Sequence, residues 1–159
     1  MANLAITIDE ESLKKARLRA LQEGTSVNAL LREFVDADAA EKKGLARARF
    51  ETDVAAGRAL LSTQVLQEFY VTVTRKLAVP LEPDTAETVV RNFSALPVVN
   101  VDGERVLTAI NRSRRLQFSF WDALIIEAAI AGGAERLLTE DLQHGQSIDG
   151  LQIENPFLK

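Results

Sequence analysis

The sequence predicts an α/β body with a mostly parallel sheet, preceded by a small strand–helix–helix module. Three observations predict it. Short apolar runs alternate with helical stretches from residue 59 to residue 154, the pattern of a parallel sheet covered by helices. Residues 3–9, NLAITID, alternate with a period of two and are followed by two amphipathic stretches, which is a half-buried strand leading into helices. The charge also divides: residues 1–50 carry nine Lys or Arg against eight Asp or Glu, and residues 51–159 carry ten against fifteen. A slightly basic module, residues 1–44, thus precedes an acidic one, residues 45–159.

The elements follow in order. Leu4, Ile6 and Ile8 form the apolar face of the first strand, and Asp9 stands where a helix N-cap belongs. The helix runs to about Glu23 and Gly24 ends it. Thr25 or Ser26 caps a second helix whose apolar positions, Val27, Leu30, Leu31, Phe34 and Val35, follow helical spacing. Ala37 to Ala56 reads as helix and Gly57 closes it. The body continues with a strand at Ala59–Ser62, a helix from Thr63 to Leu77, and a helix from Asp84 to Ala95 opened by Pro83. A strand at Val98–Val101 leads to a helix capped by Asp102 and reaching Leu116. Ser119 caps the helix Phe120–Ala131, and strands follow at Leu137–Thr139 and Leu151–Glu154.

Composition narrows the chemistry. Apolar residues at 47% and charged residues at 26% exclude wholesale disorder. There is no Cys and only one His, His144, so disulfides, thiolate metal sites and His-rich zinc sites are excluded. No apolar run approaches the roughly 18 residues of a membrane span. The start has no basic-then-apolar secretory pattern, and the expected location is the cytoplasm, with no membrane partner.

Within residues 12–32, Lys14, Lys15, Arg17, Arg19 and Arg32 face only Glu23, a charge pattern that suits either a polyanion partner or a solvated helix face. A single strand with two helices in about 40 residues cannot stand alone. A twofold dimer that pairs two such strands solves this, and a two-stranded ribbon fits the DNA major groove. The stretch NLAITIDEESLKKARLRALQEGTSVNALLREFVDA resembles the ribbon-helix-helix antitoxins and repressors, especially VapB-type antitoxins. The resemblance implies a homodimer on operator DNA, with Asn3, Ala5 and Thr7 facing the bases. It also implies phosphate contacts at the start of the second helix, from Thr25 and Ser26 to Asn28, where free N–H groups point outward.

Three acids in the body fall near strand ends or helix starts: Glu68 in the helix after Ala59–Ser62, Asp122 in FWDALIIEAAI, and Asp141 after RLLT. Each has a structural alternative. Asp122 completes a capping box with Ser119, Asp141 can cap the turn DLQHG, and Glu68 can pair with Arg58 or Arg75. Taken together, LLSTQVLQEFYVTVTRKL, FSFWDALIIEAA and RLLTEDLQHGQSIDGLQIENPF resemble PIN-domain ribonucleases, in particular VapC-type toxins. The resemblance implies that Glu68, Asp122 and Asp141 belong to a metal-binding catalytic cluster, with Glu140 an adjunct. It implies magnesium as cofactor, with manganese as its substitute, and RNA as substrate. Hard cations of this kind take carboxylate and water oxygens and can activate water for phosphodiester hydrolysis.

PIN domains of this type open with a buried strand ending in Asp, between the strands at 59–62 and 136–139, and this chain has no such stretch. The expected architecture is therefore an incomplete PIN-like three-layer sandwich lacking its first strand, joined to an antitoxin-like ribbon-helix-helix head. Such a gap leaves buried backbone groups unpaired at about 1–3 kcal/mol each, against a total stability of roughly 5–15 kcal/mol. Leu4–Asp9 is one candidate filler, which would bring in Asp9 as a fourth carboxylate. The expected function is a magnesium-dependent endoribonuclease of a toxin–antitoxin system carrying a DNA-binding head. The alternative is a catalytically inactive, dimeric DNA-binding regulator, with a cognate toxin or antitoxin as a further partner.

Overall fold

The computed structural model describes residues 4–5, 40–77 and 79–158. Its elements are β1 (Leu4–Ala5), α1 (Ala40–Ala55), β2 (Leu61–Ser62), α2 (Thr63–Arg75), α3 (Pro83–Phe93), β3 (Val98–Val99), α4 (Gly103–Leu116), α5 (Phe120–Ala131), β4 (Arg136–Leu138), β5 (Ser147–Ile148) and β6 (Leu151–Glu154). Both helices expected before residue 37 lie outside the described residues, as do Asn3, Thr7, Asp9, Thr25, Ser26 and Asn28. No helix among the described residues is long and apolar enough to cross a membrane.

Local chemistry sets the helix ends. Ser62 caps α2 by accepting the Val65 N–H, Asp102 caps α4 by accepting that of Arg105, and Ser119 caps α5 by accepting that of Asp122. Each side-chain oxygen satisfies a first-turn donor that the helix itself cannot. Gly57 follows α1 with φ +67°, a left-handed conformation that suits glycine. Pro83 opens α3 at a position where its missing N–H costs nothing. Helix α2 stops at Arg75, two residues short of expectation, where Lys76 caps it through a bond to the Thr72 carbonyl.

The strands form two separate ladders rather than one mostly parallel sheet. β2 pairs with β3 in parallel, Leu61 opposite Val98. The second sheet has the order β1-β4-β6-β5, with β4 parallel to β6 and the outer pairs antiparallel. Two local features produce the antiparallel share. β5 was not expected from sequence. It folds back on β6 through Asp149 and Gly150, whose φ values of +50° and +90° make a tight hairpin turn. β1 pairs within the chain, Leu4 opposite Leu138 and Ala5 opposite Leu137. It thus lies along β4 in the direction opposite to that of a parallel filler strand. β3 is also shorter than expected, because Val101 donates its N–H to the Thr63 hydroxyl at 3.0 Å instead of extending the ladder.

The core is built around α5. Its residues Ala123, Leu124, Ile125, Ile126, Ala128 and Ala129 are all buried, covering more than one face, as in a helix enclosed by other elements. Ile126 packs in one cluster with Leu61, Val89, Leu137 and Leu151, each such side chain contributing about 1.5–3 kcal/mol by burial. Phe93 of α3 meets Phe50 of α1 and Phe69 of α2 edge-on, at 5.8 and 5.2 Å between ring centroids. Gly132 ends α5 so close to β2 and β3 that an added Cβ would lie 2.2 Å from Leu60 Cδ2 and 2.7 Å from Val99 Cγ2. Helix α5 thus ends against β2 and β3, while its first turn is tied to α2 by the Gln64 amide.

Candidate functional site

The cap at Ser62 starts α2 immediately after β2, which places Gln64 in the first turn and Glu68 one turn on. This i,i+4 spacing makes the two side chains neighbours. Gln64 is almost completely buried and its Nε2 donates twice, to Glu68 Oε1 at 2.9 Å and to the Trp121 carbonyl oxygen at 3.2 Å. One amide therefore ties the Glu68 carboxylate to the first turn of α5, next to Asp122. The other end of that amide, Oε1, is buried without a partner. An orphaned acceptor costs about 1–3 kcal/mol, so Gln64 holds its place at a cost to stability.

Asp122 sits on the cap of α5. Its N–H donates to Ser119 Oγ at 3.1 Å, and Ser119 Oγ donates back to Asp122 Oδ2 at 2.6 Å. The Ser119 cap is as expected, but the Asp122 carboxylate returns to the Ser119 hydroxyl rather than to the backbone N–H that a capping box uses. Asp141 follows β4 on an exposed loop. Its N–H donates to the hydroxyl of buried Thr139 at 3.1 Å, and the Thr139 N–H in turn donates to the Glu154 carbonyl oxygen at 3.0 Å. Glu140 beside it is half-buried.

The structure thus joins Glu68 to the backbone beside Asp122, and sets Asp141 on a separate loop after β4. Carboxylate oxygens have the right chemistry for magnesium. The described carboxylates do not by themselves form its cage, because among the described residues no three His, Cys, Asp or Glu side chains group closely enough to hold a metal ion. Of the residues expected on a DNA-facing ribbon, Ala5 is described, and its backbone is paired with Leu137 of β4.

Other acids have cationic partners. Asp53 of α1 is fully buried, with Arg49 Nε 2.6 Å from Oδ2 and an Arg58 guanidinium nitrogen 2.9 Å from Oδ1. Arg49 also reaches Glu154 at 2.7 Å, which Arg136 contacts at 3.2 Å. Burial opposes the charge of Arg49, but its hydrogen bonds to Asp53 and Glu154 outweigh this and raise its pKa. Arg112 of α4 pairs with Glu127 of α5 and with Asp149 of the β5–β6 turn. Its pKa is likewise raised against burial by its hydrogen bonds to Asp149 and Glu127. Arg58 is thus taken by Asp53, and the Glu68 partner is the neutral Gln64.

Sequence reasoning missed Gln64 and Trp121 as part of this arrangement. The i,i+4 relation of Gln64 to Glu68 was a visible signal. Its contact with Trp121, 57 residues away, was not. Trp121 is 60% exposed, unusual for so large an apolar side chain, and its ring meets Phe120 edge-on at 5.2 Å.

Comparison with known proteins gives one family. The family described as PIN domain matches residues 26–146, most of the 159-residue chain. No curated protein matches the chain in sequence.

Proposed function

We propose that this chain, which belongs to the PIN-domain family, is an endoribonuclease of toxin–antitoxin type that hydrolyses RNA phosphodiesters. A nuclease-type function follows from family membership. The RNA substrate, the dependence on magnesium or manganese, and the roles of Glu68, Asp122 and Asp141 are our reading. One observation carries it: Gln64 binds the Glu68 carboxylate and the Trp121 carbonyl with a single amide group. Glu68 is thereby oriented toward the helix start that carries Asp122, with no cationic partner among the described residues. A carboxylate held by a neutral donor keeps its charge available to a cationic ligand. In this reading the N-terminal module serves as an operator-binding, dimerising head, with a cognate toxin or antitoxin as a further partner.

The test is RNA cleavage by purified protein in the presence of magnesium, manganese or EDTA. Wild type is expected to cut with either metal and to stop in EDTA. Glu68→Ala is expected to lose at least about 100-fold in rate, the upper range for removal of even an indirect ligand contact. Absence of metal-dependent cutting by folded wild type would refute the reading.

A second reading is a catalytically inactive, dimeric DNA-binding regulator. It is favoured by the use of the Asp122 carboxylate in the cap of α5. Salt-sensitive binding to its own upstream DNA, together with intact RNA, would select it, since phosphate contacts release counterions.

A further inference from the structure

We propose that Trp121 is the stacking surface for an unpaired base of single-stranded RNA at this site. The inference deepens the nuclease reading and rests on it for the presence of RNA. The side chain is 60% exposed, although apolar residues make up most of α5. Phe120 braces it edge-on at 5.2 Å and an interplanar angle of 66°, which restricts the ring. Its carbonyl oxygen is held by Gln64, which also holds Glu68. The aromatic ring and the carboxylate are therefore positioned by one side chain, and a base on Trp121 would set the register of the chain at the acids.

The neighbouring turn supplies the complement for phosphate. Helix α4 ends in Arg114 and Arg115, both exposed, and neither forms an ion pair among the described residues. Gln117, in a left-handed conformation with φ 57°, turns the chain from these arginines into Ser119 and Trp121. Exposed cations beside an exposed aromatic are the recurring means of binding single strands, whose bases stack while the backbone is neutralised. A duplex buries its bases and offers no such face, so the surface favours single-stranded over double-stranded RNA.

Trp121 is the only tryptophan of the chain, so its fluorescence reports directly on its surroundings. A short, purine-containing single-stranded oligoribonucleotide added to the full-length protein in EDTA is expected to quench this emission saturably, and the matched duplex much less. By anisotropy of the labelled RNA, Trp121→Ala should weaken binding about 5- to 150-fold, the range of one lost base stack, and Trp121→Phe should restore most of it. If cleavage occurs, Trp121→Ala should raise KM far more than it lowers kcat. Quenching without any cleavage in magnesium would sink the nuclease reading and leave this inference standing. Cleavage without quenching would do the reverse. The inference is also overturned if the emission shifts with protein concentration alone and Trp121→Ala dissociates a dimer, because Trp121 would then belong to an interface between copies.

Discussion

Asp53 and Glu68 stand on the two helices that flank β2, and the protein treats them in opposite ways. Asp53 is sealed in the core between two guanidinium groups, from Arg49 and Arg58. Glu68 is half-buried and accepts a hydrogen bond from the neutral amide of Gln64. The same division runs through the described part of the molecule. Glu127 and Asp149 face Arg112, Glu154 faces Arg49 and Arg136, and Asp102 faces Arg105. Asp122, like Glu68, has a neutral partner, Ser119. Under the proposed nuclease reading, a structural acid is neutralised where it stands, whereas one with neutral donors is left for a ligand. On that reading the kind of partner, rather than burial, separates the two classes.

The largest expected effect tests that division on stability. Asp53→Ala leaves Arg49 and Arg58 without their shared carboxylate and opens a void at a fully buried position. Its cost should be about 2–4 kcal/mol, below the extreme for a fully buried pair because the arginines can turn toward water. Glu68→Ala should cost less than about 1 kcal/mol, since Gln64 keeps its bond to Trp121. Urea unfolding of both variants checks this. Equal losses would show that Glu68 is as structural as Asp53.

A second variant separates positioning from folding. Gln64→Met removes both hydrogen bonds that tie Glu68 to α5, and with them the orphaned buried oxygen. The two stability effects oppose each other, so the unfolding midpoint should hardly move. Nuclease activity should fall about 10- to 100-fold, as for loss of an orienting partner behind a ligand, and Gln64→Asn should not rescue it because its side chain is one methylene shorter. A fall in stability without a fall in activity would make Gln64 a packing residue.

Much of the body was legible because helix boundaries are written locally. Ser119 and Asp102 cap the helices they were expected to cap, and α5 and β6 have the expected limits. The strands were less legible. β5 has two residues, too few to show a period, and exists because Asp149 and Gly150 adopt positive φ. The separation of β2–β3 from β4–β6–β5 depends on which backbone groups meet, and so does the antiparallel pairing of β1. No local pattern records such choices. The three acids of the candidate site were chosen by resemblance, since each one alone reads as a cap or a surface charge. Gln64 and Asp53 differ from ordinary helix polar residues in their tertiary partners, and these cannot be read from neighbouring positions.

The smallest expected effect concerns Asp102, a structural acid near the surface. It accepts the Arg105 N–H at 3.0 Å and a guanidinium N–H of the same residue at 2.6 Å. The backbone hydrogen bond from Arg105, opposed by desolvation and joined by the guanidinium bond and charge, lowers its pKa below the ordinary 3.8. A carboxyl depressed in the folded state stabilises the fold fully above its unfolded pKa and loses that contribution as pH falls through the folded value. The Arg105 amide should therefore stay protected from exchange down to about pH 4 and lose protection below it. Asp102→Asn, which can cap without ionising, should flatten that dependence while leaving α4 intact at neutral pH. If the wild-type amide shows no loss of protection in acid, the charge of Asp102 does not matter to the cap. A cationic partner would then fail as the mark of a structural acid at a solvent-exposed position.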